Sequence, residues 1–159
     1  MPQGAEWHSA KGPLLRAILG GMQKIVTAVH VEGIAFDVST RSGHTIRVEG
    51  GSAEVQSGPG PLELLLVSLA TCGSINVVEM LTKMRQPFES LEVDVSGERA
   101  DEPPRVWTDI ALHYRLTGDV DPRRLERAIW LSDNKICSAY AMLSAVANIE
   151  STFEINPRN

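Results

Sequence analysis

The chain has little that would clamp it from outside. Only two of its 159 residues are cysteine, too few for a disulfide framework, and Cys72 and Cys137 lack the paired spacing of a zinc site. The histidines, His8, His30, His44 and His113, are scattered singly, so no metal or other cofactor is expected. A phosphate-cradling glycine fingerprint is missing too, since Gly58-Pro59-Gly60-Pro61 is too proline-rich to be one. The Leu14–Leu19 run is short and interrupted by Arg16, which makes a poor secretory signal and leaves the cytoplasm as the expected location. Basic charge is not in excess: 15 Lys and Arg face 20 Asp and Glu, a net of −5. That balance argues against nucleic acid or an anionic membrane as the main partner.

What is present is an ordinary globular composition, 43% hydrophobic and 22% charged, in a chain large enough for one domain with a real core. Residues 1–22 carry Pro2, Gly4, Gly12 and Pro13 around the short amphipathic piece PLLRAIL, ending at Gly20-Gly21. They are expected to form an accessory segment ahead of a single domain over 23–159. From Lys24 the hydrophobic period is two. Ile25–His30, Ile34–Ser39 and His44–Glu49 read as strands split by Gly33 and Ser42-Gly43, a hairpin meander. Gly50–Gly60 reads as a loop.

Pro61 to Lys83, PLELLLVSLATCGSINVVEMLTK, is the organising stretch. No charge lies between Glu63 and Glu79, and Leu64, Leu65, Leu66, Val67 and Leu69 go nearly round a helical wheel. A helix apolar on every side is expected to be enclosed on every side. It reads as too short, and too tightly flanked by charges, to span a bilayer comfortably. Pro61 suits the first helical position, Lys83 and Arg85 suit the negative helix end, and Pro87 stops the helix near Arg85. Leu91–Gly97 and Val106–Thr117 alternate as strands. Asp121-Pro122 opens an amphipathic helix with Leu125, Ala128, Ile129 and Leu131 inward, a further helix is expected at about Lys135–Val146, and Ile149–Ile155 closes as a strand. The order βββ-α-ββ-αα-β predicts an α+β fold, an antiparallel sheet around a long buried central helix.

Two thiols dominate the candidate chemistry. Cys72 sits mid-way along the apolar helix, where a free cysteine commonly serves as a small hydrophobe and where burial raises its pKa unless a cation is near. With Asn134 as N-cap, Cys137 falls at about the third position of its helix, where exposed N–H groups favour a thiolate. On that reasoning Cys137 is the better candidate for a lowered pKa, though it could also simply fill a groove between helices. Glu63 lies in the first helical turn, where a carboxylate meets the positive helix end. It is nine residues before Cys72, about 13 Å along the axis and roughly half a turn round. It could serve that thiol only from another chain. Arg47 stands out among the arginines because it leads into the loop before the helix.

With these residues in view, GPGPLELLLVSLATCGSINVVEMLTKMR and LSDNKICSAYAMLSAVANIESTFEI resemble the OsmC/Ohr family, the osmotically inducible and organic hydroperoxide resistance proteins. The likeness spans roughly residues 24–155 and is nearest the less characterised subgroup whose helix opens P-x-E-L-L-L. It implies an intertwined homodimer with each central helix buried against its partner. It also implies a thiol peroxidase for organic hydroperoxides, with Cys72 peroxidatic, Cys137 resolving, and a dithiol as reductant. An arginine held by a glutamate of the other chain would support the thiolate.

The chain departs from that pattern in two places. Leu62 stands where those peroxidases have the glutamate, and Glu63 comes one residue, about 100° of helix rotation, later. VHVEG in the first hairpin offers no arginine, so Arg47 in TIRVEG takes the candidate role. Leu62 and the apolar surroundings of Cys72 also support a competing reading: a non-enzymatic dimer that binds a small apolar ligand or senses redox state.

Overall fold

The computed structural model describes residues 25–51 and 56–158. They fall into two compact units, one ending at Gly60 and one beginning at Pro61. The expected accessory segment, 1–22, lies outside the described residues.

The first unit is an antiparallel meander of β1 (Val26–Glu32), β2 (Ala35–Thr40) and β3 (Thr45–Glu49). Gly33 (φ 52°) and Gly43 (φ 85°) turn the hairpins in the left-handed region that glycine tolerates without strain. Register places Phe36 opposite Val48 and Val38 opposite Ile46, while Asp37 faces Arg47. After β3 the chain is tied back on the strand. The Glu49 carboxylate accepts from Ser57 N (2.7 Å) and Oγ (2.6 Å), and Glu49 N donates to the Pro59 carbonyl at 3.2 Å. Gly58 permits this, since a Cβ there would lie 2.2 Å from the Arg47 carbonyl oxygen.

The second unit is built on α1 (Pro61–Lys83) and a sheet ordered β4–β5–β6: Phe88–Arg99, Trp107–Gly118 and Asn148–Asn156. Between β5 and β6 lie α2 (Pro122–Leu131), a π-helical turn (Ser132–Ile136) and α3 (Ser138–Leu143). Strand β5 carries the core. Ile110, Leu112, Tyr114 and Leu116 alternate inward, against Leu69, Val77, Met80 and Leu81 of α1 and Leu125, Ala128 and Ile129 of α2. Asp121 caps α2 through its side chain, accepting from Arg123 N at 2.9 Å, with Pro122 at N1. At the other end of β5, Trp107 Nε1 donates to the Leu62 carbonyl (3.2 Å) and so seats the start of α1.

Helix α1 ends in a Schellman motif, with Gln86 N on the Leu81 carbonyl, Arg85 N on that of Thr82, and Arg85 itself left-handed at φ 55°. Lys83 is the last helical residue.

Two expectations are corrected and one is narrowed. The strands form two separate three-stranded sheets, and β6 runs parallel to β5. The physical reason is that helices intervene, and a helical crossover returns the chain in its original direction. Second, the described residues of one chain enclose α1 on one side only, and the cover of the other side is what the family resemblance assigns to a partner. Leu69, Gly73, Val77, Met80 and Leu81 form the buried stripe, whereas Leu65, Val67, Ile75 and Val78 are exposed. Third, at 23 residues α1 is long and apolar enough to cross a membrane by length and composition alone. What distinguishes it is that its buried stripe packs into the core of its own unit.

Leu81 is wholly enclosed. Leu81→Ala should therefore cost about 2–5 kcal/mol in urea unfolding. Lys83→Ala, which removes only an exposed pair with Glu79, should change stability by no more than about 0.5 kcal/mol.

Candidate functional site

The two cysteines meet. Helix α1 carries Cys72 one residue before Gly73, whose bare Cα faces the Tyr114 side chain of β5: a Cβ there would lie 2.6 Å from the Tyr114 hydroxyl. Cys137 arrives from the π-helical turn. Its N–H donates to the Ser132 carbonyl at 2.8 Å, five residues back, and its backbone then extends to start α3. Single π turns recur at functional sites because the extra residue re-aims the side chains beyond it. Here it aims Cys137 at α1.

The placement of Cys137 differs from the sequence expectation. Cys137 is itself the N-cap of α3, its Sγ accepting from Tyr140 N at 3.3 Å. Asn134 does not cap; its side chain donates to the Trp130 carbonyl at 2.9 Å. The pKa order is also reversed. Cys137 is only 2% exposed and is pushed up to about 11, first by burial and then by the neighbouring Cys72 sulfur. Cys72 is partly exposed and held below its ordinary value. The leading cause is the hydrogen bond from the Cys137 thiol. Burial opposes it, and the N–H groups of Ala139 and Ser138 reinforce it. The pair is thus polarised: one sulfur accepts and tends to thiolate, while the other donates and keeps its proton.

Behind the thiols lies a set of polar side chains that sequence reasoning missed. Tyr114 is fully buried. Asn76 Nδ2 donates to Ser132 Oγ at 3.4 Å. Asp133 accepts from Ser151 Oγ at 2.7 Å and, despite that bond, is held above the usual carboxylate range by burial. Tyr114 and Ser151 alternate within strands and read as ordinary strand residues. Only the knowledge that a π turn sits opposite them would have marked them out.

Glu63 is exposed in the first turn of α1, and helix geometry keeps it far from Cys72 of its own chain. Arg47 belongs to the first unit, where Asp37 grips it in bidentate fashion, Nε to Oδ1 at 2.5 Å and Nη2 to Oδ2 at 3.3 Å. That hydrogen bond, then the Asp37 charge, holds the guanidinium pKa above its usual value. Asp37 had no signal of its own, although hairpin register makes it the cross-strand neighbour of Arg47. Among the described residues, no cluster of three His, Cys, Asp or Glu side chains could hold a metal ion.

A helix-borne thiol facing a second, capping thiol over a three-stranded sheet defines a two-cysteine α+β class. The model of the OsmC-like protein family matches residues 51–152, and the chain belongs to that family. It is 38% identical over 126 residues to protein YhfA of Escherichia coli, covering 79% of this chain and 92% of that one. A hypothetical protein of Aquifex aeolicus superposes with TM-score 0.78 at 28% identity, over 87% of this chain and 99% of its own. The organic hydroperoxide resistance protein OhrB of Bacillus subtilis shares the fold, with TM-score 0.59 at 16% identity, over 84% and 98%.

The opposed shifts have a direct consequence for thiol labelling. Iodoacetamide should modify Cys72 with a pH midpoint below that of free cysteine, and Cys137 only as pH approaches about 11. In Cys137→Ala the lost donor should move the Cys72 midpoint upward, read by mass spectrometry of the labelled peptides.

Proposed function

We propose that this protein is a thiol-dependent peroxidase that reduces organic hydroperoxides in the cytoplasm, as a homodimer, with a dithiol as reductant. The observation that carries the reading is the polarised Cys72–Cys137 pair. Cys72 thiolate attacks the distal peroxide oxygen, the O–O bond breaks, and the alkoxide leaves as alcohol after taking a proton. Cys72 becomes a sulfenic acid. Cys137 then attacks that sulfur, releasing water and forming a disulfide, which the external dithiol reduces by exchange. Sulfur performs both redox steps, so no metal or bound cofactor is required.

The activating shell is part of the proposal. Arg47, whose guanidinium Asp37 already fixes, is the candidate for the cation that the family resemblance assigns to the thiolate. Glu63 contributes only by reaching the site of another chain. The second copy is supported by the exposed apolar stripe of α1, Leu65, Val67, Ile75 and Val78, since such a surface marks an interaction face.

The decisive assay is hydroperoxide consumption with a dithiol, comparing cumene hydroperoxide with hydrogen peroxide. Wild type should turn over the organic peroxide preferentially, Cys72→Ser should fall to background, and Cys137→Ser should stop after one turnover with a trappable sulfenic acid. Wild-type thiols that react no faster than free cysteine would overturn the proposal. Light scattering should give about twice the 17.3 kDa chain mass, and Ile75→Arg should shift it toward the monomer.

A further inference from the structure

The Tyr114 hydroxyl has a placement that packing alone does not account for. The side chain is 0% exposed, and among the described residues its hydroxyl has no hydrogen-bond partner. A buried hydroxyl without a partner is destabilising, and phenylalanine would fill the same strand position without that cost. The space around the oxygen is nonetheless kept open for it. Gly73 has no Cβ where one would lie 2.6 Å from the hydroxyl, and Ser132 Oγ, which borders the same space, is engaged by Asn76.

This niche adjoins the thiols. Gly73 comes directly after Cys72, and the Ser132 carbonyl accepts the Cys137 N–H at 2.8 Å. The phenol senses both sulfurs: burial is the first cause that raises its pKa, and the charges of Asp133, Cys137 and Cys72 raise it further. Tyr114 therefore keeps its proton wherever the thiols titrate. It is a fixed donor that, among the described residues, has no acceptor in the reduced state.

In the reduced state the Cys137 proton is shared with Cys72, and the Cys137 sulfur accepts from Tyr140 N at 3.3 Å. Once Cys72 is oxidised that arrangement ends. Cys137, buried and reluctant to ionise, must then become the nucleophile. Resting on the reading of Cys137 as the resolving thiol, we infer that Tyr114 is its positioning residue: from the niche that Gly73 leaves open, the phenol O–H donates a hydrogen bond to the Cys137 sulfur as it attacks oxidised Cys72. In that step the S–S bond forms and the Cys72 S–O bond breaks. The departing hydroxide takes the Cys137 proton as water, and the phenol proton stays on tyrosine.

The test uses the full chain and a probe that needs no peroxide. One equivalent of a chromogenic aryl disulfide, dithio-bis-nitrobenzoate, is mixed rapidly with the reduced protein. Cys72 attack releases the first thiolate, and Cys137 attack on the resulting mixed disulfide releases the second. In Tyr114→Phe the first phase should be unchanged, while the second should slow by about tenfold or more, as for loss of one hydrogen bond to an ionising group. Its pH midpoint should move upward, and the melting temperature should stay equal or rise. A second phase with unchanged rate and midpoint would overturn the assignment. So would slowing of both phases together with a lower melting temperature, which marks a purely structural tyrosine. An organic hydroperoxide arm separates the two readings. If wild-type thiols resist the peroxide while the aryl disulfide shows the expected split, Tyr114 keeps its role and the peroxidase proposal falls.

Discussion

The second unit depends on one close contact, that of Gly73 on helix α1 with the Tyr114 hydroxyl carried by strand β5. The Tyr114 side chain reaches across from β5, and its hydroxyl fills the space a methyl group on residue 73 would need. On either side of this point α1 buries Leu69, Val77 and Leu81 against Leu112, Leu116 and Leu125. Burying such side chains contributes on the order of 25 cal/mol per Å² of apolar surface removed from water. The contact also sets the depth of Cys72. A larger residue at position 73 would meet the Tyr114 hydroxyl, so that either the phenol or the helix would have to shift.

Cys137 reaches that depth because backbone geometry, not propensity, brings it there. A regular helix through Ser132–Ile136 would carry its thiol round the axis by about 100° for each residue of register. The π turn absorbs the surplus residue and leaves Cys137 as an extended N-cap. Burial then decides the electrostatics. A cap position alone would favour a thiolate, but a sulfur enclosed to 2% exposure loses more from desolvation than the local N–H groups return. The less enclosed Cys72 gains, because its partner's proton is the one donated.

Much of this was legible in the sequence, and the illegible part has a common cause. Pro61, the charge-free run and Pro87 bounded α1, and Asp121-Pro122 opened α2 where the structure has it. Those are local signals, carried by capping chemistry and period. The parallel return of β6 and the Asp37–Arg47 grip are relations between separate strands, and the π turn is a one-residue departure from helical register, none of which period encodes. The cysteines were visible as a pair worth attention. Their order of acidity was not, since it depends on how completely each is enclosed, and helix position gave the opposite answer.

Enclosure also governs the apolar surface that the chain leaves uncovered. Every residue of β1 is exposed, and Ala35 is the one buried residue among the described residues of the first unit. Val26, Val29, Val31, Phe36 and Ile46 stand open on that sheet, as Leu65, Val67, Ile75 and Val78 do on α1. Three strands need a hydrophobic face packed against something to persist in water. A helix apolar all round is likewise stable only where all of it is enclosed. Each element therefore has a periodic pattern written for more cover than the described residues of one chain provide. The proposed second copy would meet that requirement with the same sequence, because in a two-fold assembly each exposed patch is matched by its own counterpart.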